Sequence, residues 1–171
     1  MGTISRKLEK GSSETIREGE RSRLNYFSKN VFMNLNAQWI VGFVDGEGCF
    51  HIGINKNQEM KLGLQVLPEF TVVQHEVDEQ VLHALKAYFG CGVVRKNHGT
   101  RLSYRVRGHQ NLLHKIIPFF EKHQLKTRKS VDFAKFRKVV LLMENKEHLN
   151  PDGVEKIREI RKTMNSTTFL R

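Results

Sequence analysis

Residues 36–48 read NAQWIVGFVDGEG, and this stretch decides the fold of the chain. Its first residue, Asn36, is a favourable N-cap, which predicts that a helix begins there. Apolar residues then recur at a spacing that places them on one side of that helix. These residues are Trp39, Ile40, Phe43 and Val44. The stretch therefore predicts a helix that packs against other parts of the fold.

Two acids, Asp45 and Glu47, stand where this helix ends. The C-terminus of a helix is its negative end, so a bound divalent cation would compensate for acids placed there. Gly42 and Gly46 would let a second helix approach closely. A symmetric dimer on that side would bring two copies of Glu47 together, where Mg²⁺ could serve phosphodiester hydrolysis. Taken alone, the pattern also fits an ordinary helix end with an incidental acid, which is the more frequent case.

Alternating apolar residues follow the helix and predict strands with one buried side. The segments CFHIGIN and LGLQVLPEFTVVQ form the first pair, joined as a hairpin by the polar segment KNQEMK. Pro68 is expected at a bulge or an edge position. Asp78 is expected to cap a helix that Gly90 closes. The segments GVVRKN and LSYRVR then predict a second, shorter hairpin.

Further helices are predicted beyond the hairpins. One carries the apolar residues of 112–117 and ends around Pro118 and the polar segment EKHQ, and a longer one is capped by Ser130. The NPDG turn at residues 150–153 breaks the longer helix, and a last helix follows. The order predicts an α+β fold, αββαββα, with an antiparallel sheet, helices on one face and additional C-terminal helices. We expect one domain over residues 31–171, preceded by a flexible basic arm over residues 1–30.

The sheet face away from the helices is predicted to be rich in Arg, Lys, Asn, Gln and Thr. Such side chains contact base edges and phosphates, and a two-stranded ribbon fits the major groove of DNA. A solvated sheet face has a similar composition, so the pattern alone leaves both interpretations open. Glu69 is the acid that interrupts this face. The predicted contact residues are His51, Asn55, Asn57, Lys61, Gln65, Thr71, Arg95, Asn97, Ser103, Arg105 and Arg107.

The composition favours a polyanionic partner. The 29 Lys and Arg exceed the 18 Asp and Glu and give a net charge of +11. Nucleic acid is the first candidate, before an anionic membrane surface or an acidic protein. Cys49 and Cys91 do not make a disulfide scaffold, and the eight scattered histidines lack the spacing of a zinc site. No membrane span or targeting signal is expected.

The segment IVGFVDGEG resembles the nine-residue LAGLIDADG motif of homing endonucleases. Similarity to the single-motif members of that family continues over residues 36–165. It is carried by FTVVQ, FGCGVVRKN, YRV, IIPFF, LKTRKSVDFAKF and HLNPDGVEKIREIRKTMN. The resemblance implies two hairpins that form a saddle over DNA. Because one motif copy is present, it also implies a homodimer.

The resemblance assigns roles to particular residues. Glu47 would ligate the catalytic metal with Gly46 beside it, and Asp45 would be structural. Gln74 would complete the active site next to a basic residue, for which Lys129 is preferred to Lys126. Arg128 would join the DNA contacts. The dimer interface would contain Trp39, Gly42, Phe43 and Gly46.

The implied activity is Mg²⁺-dependent cleavage of both DNA strands at a long, pseudo-palindromic site, with Mn²⁺ as a substitute. The resemblance also implies an organellar intron gene, in a chloroplast more than in a mitochondrion, and allows intron RNA as a partner. Two alternatives remain, an intron RNA maturase and a non-cleaving DNA-binding protein of the same fold. A structural basic protein would fit the charge but would not predict an acid at the helix end.

Overall fold

The computed structural model describes residues 33–165. In this range the elements follow the predicted α+β order of helix, two strands, helix, two strands and further helices. The strands are β1 (Gly48–Lys56), β2 (Leu64–His75), β3 (Val93–Lys96) and β4 (Arg101–Val106). The helices are α1 (Ala37–Glu47), α2 (Glu79–Phe89), α3 (His109–Asn111), α4 (Ile117–Lys122), α5 (Lys129–Glu144) and α6 (Pro151–Lys162). The arm predicted over residues 1–30 lies outside the described residues.

The four strands form one antiparallel sheet in the order β1-β2-β4-β3. The register of β1 on β2 runs without a shift from the Gly48 and Val72 pair to the Lys56 and Leu64 pair. The expectation of a bulge at Pro68 is therefore wrong. Strand β4 pairs with β2 only over residues 70–75, so Pro68 lies where one edge of β2 is unpaired. The edge alternative is confirmed, since proline has no N–H to give a neighbouring strand.

The helices cover one face of this sheet through an aromatic core. Phe50 and Phe70 point from β1 and β2 towards the helices, and their ring centroids lie 5.2 Å apart. Phe120 of α4 and Phe136 of α5 lie 5.4 and 5.3 Å from the ring of Phe50. All four side chains are at most 1% exposed. Each such burial stabilises the fold by about 1.5–3 kcal/mol, so this cluster fixes the position of the helices on the sheet.

The predicted helix starts are confirmed at two positions and wrong at one. Asn36 caps α1, since its Oδ1 accepts from the N–H of Trp39 at 2.8 Å. Asp78 is the N-cap residue of α2, as predicted, but its side chain makes no capping hydrogen bond, because the chain enters α2 through the 3₁₀ turn Glu76–Asp78. Ser130 lies within the first turn of α5, and Thr127 Oγ1 instead accepts from the N–H of Lys129 at 3.2 Å.

One predicted helix end is confirmed and another is wrong. The helix predicted over residues 112–117 runs past Pro118 and ends at Lys122, within the predicted polar segment EKHQ, with a π turn (Leu112–Ile116) before α4. Pro118 lies in the first turn of α4, where a missing N–H is tolerated. The NPDG segment does not break α5, which ends at Glu144; it begins α6, where Asn150 Oδ1 accepts from Gly153 N–H at 2.8 Å.

The chain then returns from α6 to β1. The Asn165 side-chain amide donates to the carbonyl of Phe50 at 2.9 Å, and its backbone N–H donates to Asp132 Oδ1 at 3.1 Å. This turn ties the end of α6 to both β1 and α5. Within residues 33–165, none of the helices is long and apolar enough to cross a bilayer.

Candidate functional site

The motif carboxylate Glu47 is the last residue of α1 and is exposed to solvent. Gly48 follows it and begins β1, with its N–H bonded to the carbonyl of Val44. A Cβ on Gly48 would lie 2.5 Å from Val44 Cγ1 and 2.8 Å from Val44 O. Only glycine therefore lets the chain turn from helix to strand here, and this close turn holds Glu47 at the junction.

Lys129 brings a positive charge to the same junction. It is the first residue of α5, and its Nζ donates to the carbonyl of Gly46 at 3.3 Å and to the carbonyl of Gly48. These two carbonyls flank Glu47 in the sequence. Lys126, the second basic candidate, touches the motif only through its backbone N–H, and its side chain is exposed. Of the two predicted lysines, the structure places Lys129 with its ammonium group at the motif.

Asp45 holds the segment that carries these lysines. Its Oδ2 accepts from Lys126 N–H at 2.8 Å, and its Oδ1 accepts from Thr127 N–H at 3.2 Å and from Thr127 Oγ1 at 2.7 Å. Partial burial raises the pKa of Asp45, but these hydrogen bonds outweigh it and hold the pKa below its ordinary value of 3.8. Asp45 thus joins α1 to the start of α5. Thr127, which bridges Asp45 and Lys129, was not identified from the sequence because a lone threonine in a basic loop gives no signal.

Gln74 lies at the same end of the sheet. It lies on β2 two residues beyond Val72, which is opposite Gly48, the first residue of β1. Its Oε1 accepts from the N–H of His75 at 3.2 Å. Gln74 therefore lies at the end of the sheet where α1 joins β1.

The donor set of one chain is half of a divalent-cation site. Glu47 supplies an exposed carboxylate and Gly46 a carbonyl that also accepts from Lys129 Nζ, and oxygen donors of this kind suit Mg²⁺. Asp45 is already occupied by three hydrogen bonds. Within residues 33–165, no three His, Cys, Asp or Glu side chains stand close enough together to hold a metal. The residues fit a metal provided that a second copy or a phosphate completes the coordination.

The outer sheet face carries most of the predicted DNA contacts. His51, Asn55 and Arg95 are exposed, whereas Gln65 and Thr71 are half-buried. Other predicted residues lie at the ends of strands or beyond them. Asn57 and Lys61 lie in the loop that joins β1 to β2, Asn97 follows β3, and Arg128 precedes α5.

Ser103 is a correction to the predicted face. It lies on the outer side of β4, opposite Val73 and Arg95, but it is only 1% exposed. Its hydroxyl has no hydrogen-bond partner among the described residues. The side chain is too short to rise above its larger strand neighbours in the centre of the sheet, so it is not available to a partner as predicted.

The side of α1 that carries the two glycines is open. A Cβ at Gly42 or Gly46 would meet nothing within 4 Å. Trp39, 41% exposed, stacks on Phe43 with ring centroids 4.7 Å apart. The buried side of α1 instead uses Ile40, Val41 and Val44. The predicted interface residues therefore share an accessible surface.

Comparison with known proteins identifies endonucleases as relatives of this chain. Residues 40–140 match the family model described as LAGLIDADG endonuclease. "Probable intron-encoded endonuclease 2" of Neurospora crassa is 36% identical over 137 residues, which are 79% of this chain and 30% of that protein. The chain thus spans between a quarter and a third of the length of the curated relatives it matches.

Solved structures share the fold. The homing endonuclease I-TnaI is 55% identical with a TM-score of 0.76, over 80% of this chain and 92% of that chain. I-SmaMI, bound to an uncleaved DNA target in the presence of calcium ions, is 35% identical with a TM-score of 0.75. That match covers 78% of this chain and 47% of that one.

Proposed function

Because the chain belongs to the LAGLIDADG endonuclease family, we propose that it is a homing endonuclease that cleaves both strands of DNA at one long, pseudo-palindromic site. The observation that carries the proposal is the junction of α1 and β1. There the exposed Glu47 is flanked by two carbonyls that bind the ammonium group of Lys129. A carboxylate that can bind a cation and an ammonium group that can attract a phosphate thus lie at the same junction.

We propose Glu47 as the metal ligand, with the carbonyl of Gly46 beside it. Mg²⁺, or Mn²⁺ in its place, would stabilise the attacking and leaving oxygens when bound. Lys129 keeps a positive charge at the motif, which favours a scissile phosphate there, and Lys126 is the second candidate. The amide of Gln74 would orient a water molecule. Asp45 keeps the loop before α5 in place.

The proposed assembly is a homodimer. One chain supplies a single motif carboxylate, and cleavage of both strands needs two. The open surface of α1, with Trp39, Gly42, Phe43 and Gly46, would pack on its copy and bring the two Glu47 residues together. Two sheet faces would then lie along one duplex.

The proposed DNA interface is the outer sheet face with its flanking loops. It has many hydrogen-bond donors and few acids, so it suits base edges and phosphates. We propose the predicted residues other than Ser103 as contacts, and residues 31–171 as the endonuclease domain. For the gene we propose an organellar intron, with a chloroplast preferred, and intron RNA stays a candidate further partner.

Cleavage of a plasmid library of randomised sites by the full chain tests the proposal. We expect double-strand cuts at one long site in Mg²⁺ and binding without cuts in Ca²⁺. Glu47→Gln should bind the selected site within about threefold of wild type and cut it at least about 100-fold more slowly, because a neutral amide is a weak metal ligand. Glu155→Gln, an exposed acid of α6, is the matched control and should cut normally.

Tight binding without cutting in Mg²⁺ or Mn²⁺ would refute the nuclease and favour a binding protein or maturase. Equal cutting by Glu47→Gln and Glu155→Gln would refute the role of Glu47 as metal ligand but would leave the nuclease proposal standing.

A further inference from the structure

We propose that Glu69 is a positioning residue for base recognition, which holds Arg107 so that its terminal amino groups meet a guanine of the target site. This inference rests on the proposed function and names a determinant of its specificity. A carboxylate on a surface that faces phosphates repels them and weakens binding, so its presence suggests a specific role. Glu69 is the acid that the sequence places within the predicted face.

Glu69 lies in a cross-strand group on the outer face. On one side it is opposite His51 of β1. On the other side Thr71 is opposite Arg105 of β4, so the register extended by two residues places Arg107 beside Glu69. The groups that face the carboxylate are therefore one imidazole and two guanidinium groups. The local charge stays positive after Glu69 is counted.

Each carboxylate oxygen of Glu69 faces a different arginine. Oε2 accepts from Nε of Arg107, and Oε1 lies 3.3 Å from Nε of Arg105. The contact to Arg105 is an ion pair without hydrogen-bond geometry, since its buried Nε has no hydrogen-bond partner among the described residues. The side chain of Glu69 is 13% exposed, so this pairing is only weakly screened.

Exposure separates the roles of the two arginines. The Arg105 side chain is 17% exposed and lies within the sheet surface, whereas that of Arg107 is 51% exposed. Arg105 therefore holds the Glu69 carboxylate from within the sheet surface. Arg107 presents its guanidinium to a DNA molecule bound on the outer face.

The direction of the Arg107 contact selects the kind of base. Because Nε faces Glu69, the edge formed by Nη1 and Nη2 is left for a partner. Two parallel donors match O6 and N7 of guanine in the major groove. Fixing the guanidinium before binding also reduces the rotamer freedom that recognition would otherwise cost. Without Glu69, Arg107 would still attract phosphates but would choose poorly among bases.

The test is a base-preference profile of wild type, Glu69→Gln, Arg107→Lys and Glu59→Gln, each selected on the same randomised duplex library in Mg²⁺. Glu69→Gln keeps the shape but loses the ion pairs, and Arg107→Lys keeps the charge but loses the planar fork. Glu59→Gln is the matched control, since it removes an exposed acid from the loop of the same hairpin. Thermal unfolding of each variant shows whether the fold is kept.

We expect the wild-type site to require guanine at one position of each half-site. Glu69→Gln and Arg107→Lys should both reduce that preference by about tenfold or more and leave the other positions unchanged. Glu59→Gln should raise overall affinity without changing the profile.

An unchanged profile in Glu69→Gln, or effects of the two variants at different base pairs, would overturn the positioning role while leaving the nuclease intact. A wild-type chain that selects no sequence would overturn both proposals. If Glu69→Gln lowers the unfolding temperature strongly, Arg107→Lys decides alone: a retained guanine preference overturns the inference.

Discussion

Gly42→Ala should separate the stability of one chain from the stability of the proposed dimer. Gly42 lies inside α1, is exposed, and would place an added Cβ more than 4 Å from every neighbouring atom outside its own helix turn. The substitution therefore meets no obstacle within the chain. Any loss that it causes must come from a second molecule on this surface.

Two opposite energies can be expected. Within the chain, glycine in a helix interior costs about 0.8–1.0 kcal/mol relative to alanine, so the variant fold should gain roughly that amount. In a dimer with close contact of two α1 helices, the added methyl groups overpack the interface and cost about 1–3 kcal/mol. At 1.4 kcal/mol per factor of ten, the dimer should weaken by about 5- to 150-fold.

Sedimentation velocity over a range of concentrations measures dimer dissociation, and guanidinium unfolding at a concentration where the chain is monomeric measures the fold. Ala87→Gly in α2 is the matched control. Ala87 is exposed in the last turn of α2, outside the proposed interface, so Ala87→Gly should lose up to about 1 kcal/mol of stability without a change in dimerisation. A Gly42→Ala dimer as tight as wild type would refute the α1 interface, and a destabilised Gly42→Ala monomer would refute the open surface.

Four further substitutions test the site and the fold. Lys129→Met should slow single-turnover cleavage of the selected site by at least about 100-fold, and Lys126→Met by less than about tenfold, because only the Lys129 ammonium group lies at the motif; equal effects would contradict this choice. Asp45→Asn should cost about 1–3 kcal/mol in guanidinium unfolding at pH 7, since three donors lose a charged acceptor. The folded-state pKa of Asp45 is lowered, so its contribution to the free energy of unfolding is complete above the unfolded value of 3.8 and is lost as the pH falls through the lower folded value. The stability difference between Asp45→Asn and wild type should therefore shrink at low pH. A difference that stays constant with pH would refute the role of the Asp45 carboxylate. Gly153→Ala should destabilise the fold by more than about 2 kcal/mol, because a Cβ would lie 1.9 Å from the carbonyl oxygen of Glu147; a thermal unfolding midpoint equal to that of wild type would rule out this packing.

Periodic features of the sequence predict most of this fold. The alternation in β1 and β2 gives the buried side of both strands, because a strand has only two faces. The cap at Asn36 is also predicted, since a polar residue directly before an apolar helical run has few other roles there.

Features that depend on contacts distant in sequence are not predicted. Ser130 is a good cap residue, but α5 begins one residue before it, and Asp45 binds Thr127, whose Oγ1 accepts from Lys129 N–H. The alternation of side chains along β4 places Ser103 on the outer face, but its burial depends on the sizes of its neighbours on adjacent strands. The motif itself identifies Glu47 but gives no orientation for Lys129, which reaches the site from a helix 82 residues away.

The end strand β1 of the sheet also has a consequence for solubility. A strand in this position offers free backbone groups on which another chain can add a strand, and such addition leads to aggregation. Two successive carbonyls on one side of β1, those of Gly48 and Phe50, are bound by Lys129 and Asn165. These two side chains occupy carbonyls that a strand of another molecule would otherwise bind, and one of them is the lysine proposed for catalysis. Lys129 variants made to stop cleavage would leave the Gly48 carbonyl free for such pairing. They should therefore precipitate at lower protein concentrations than Glu47→Gln.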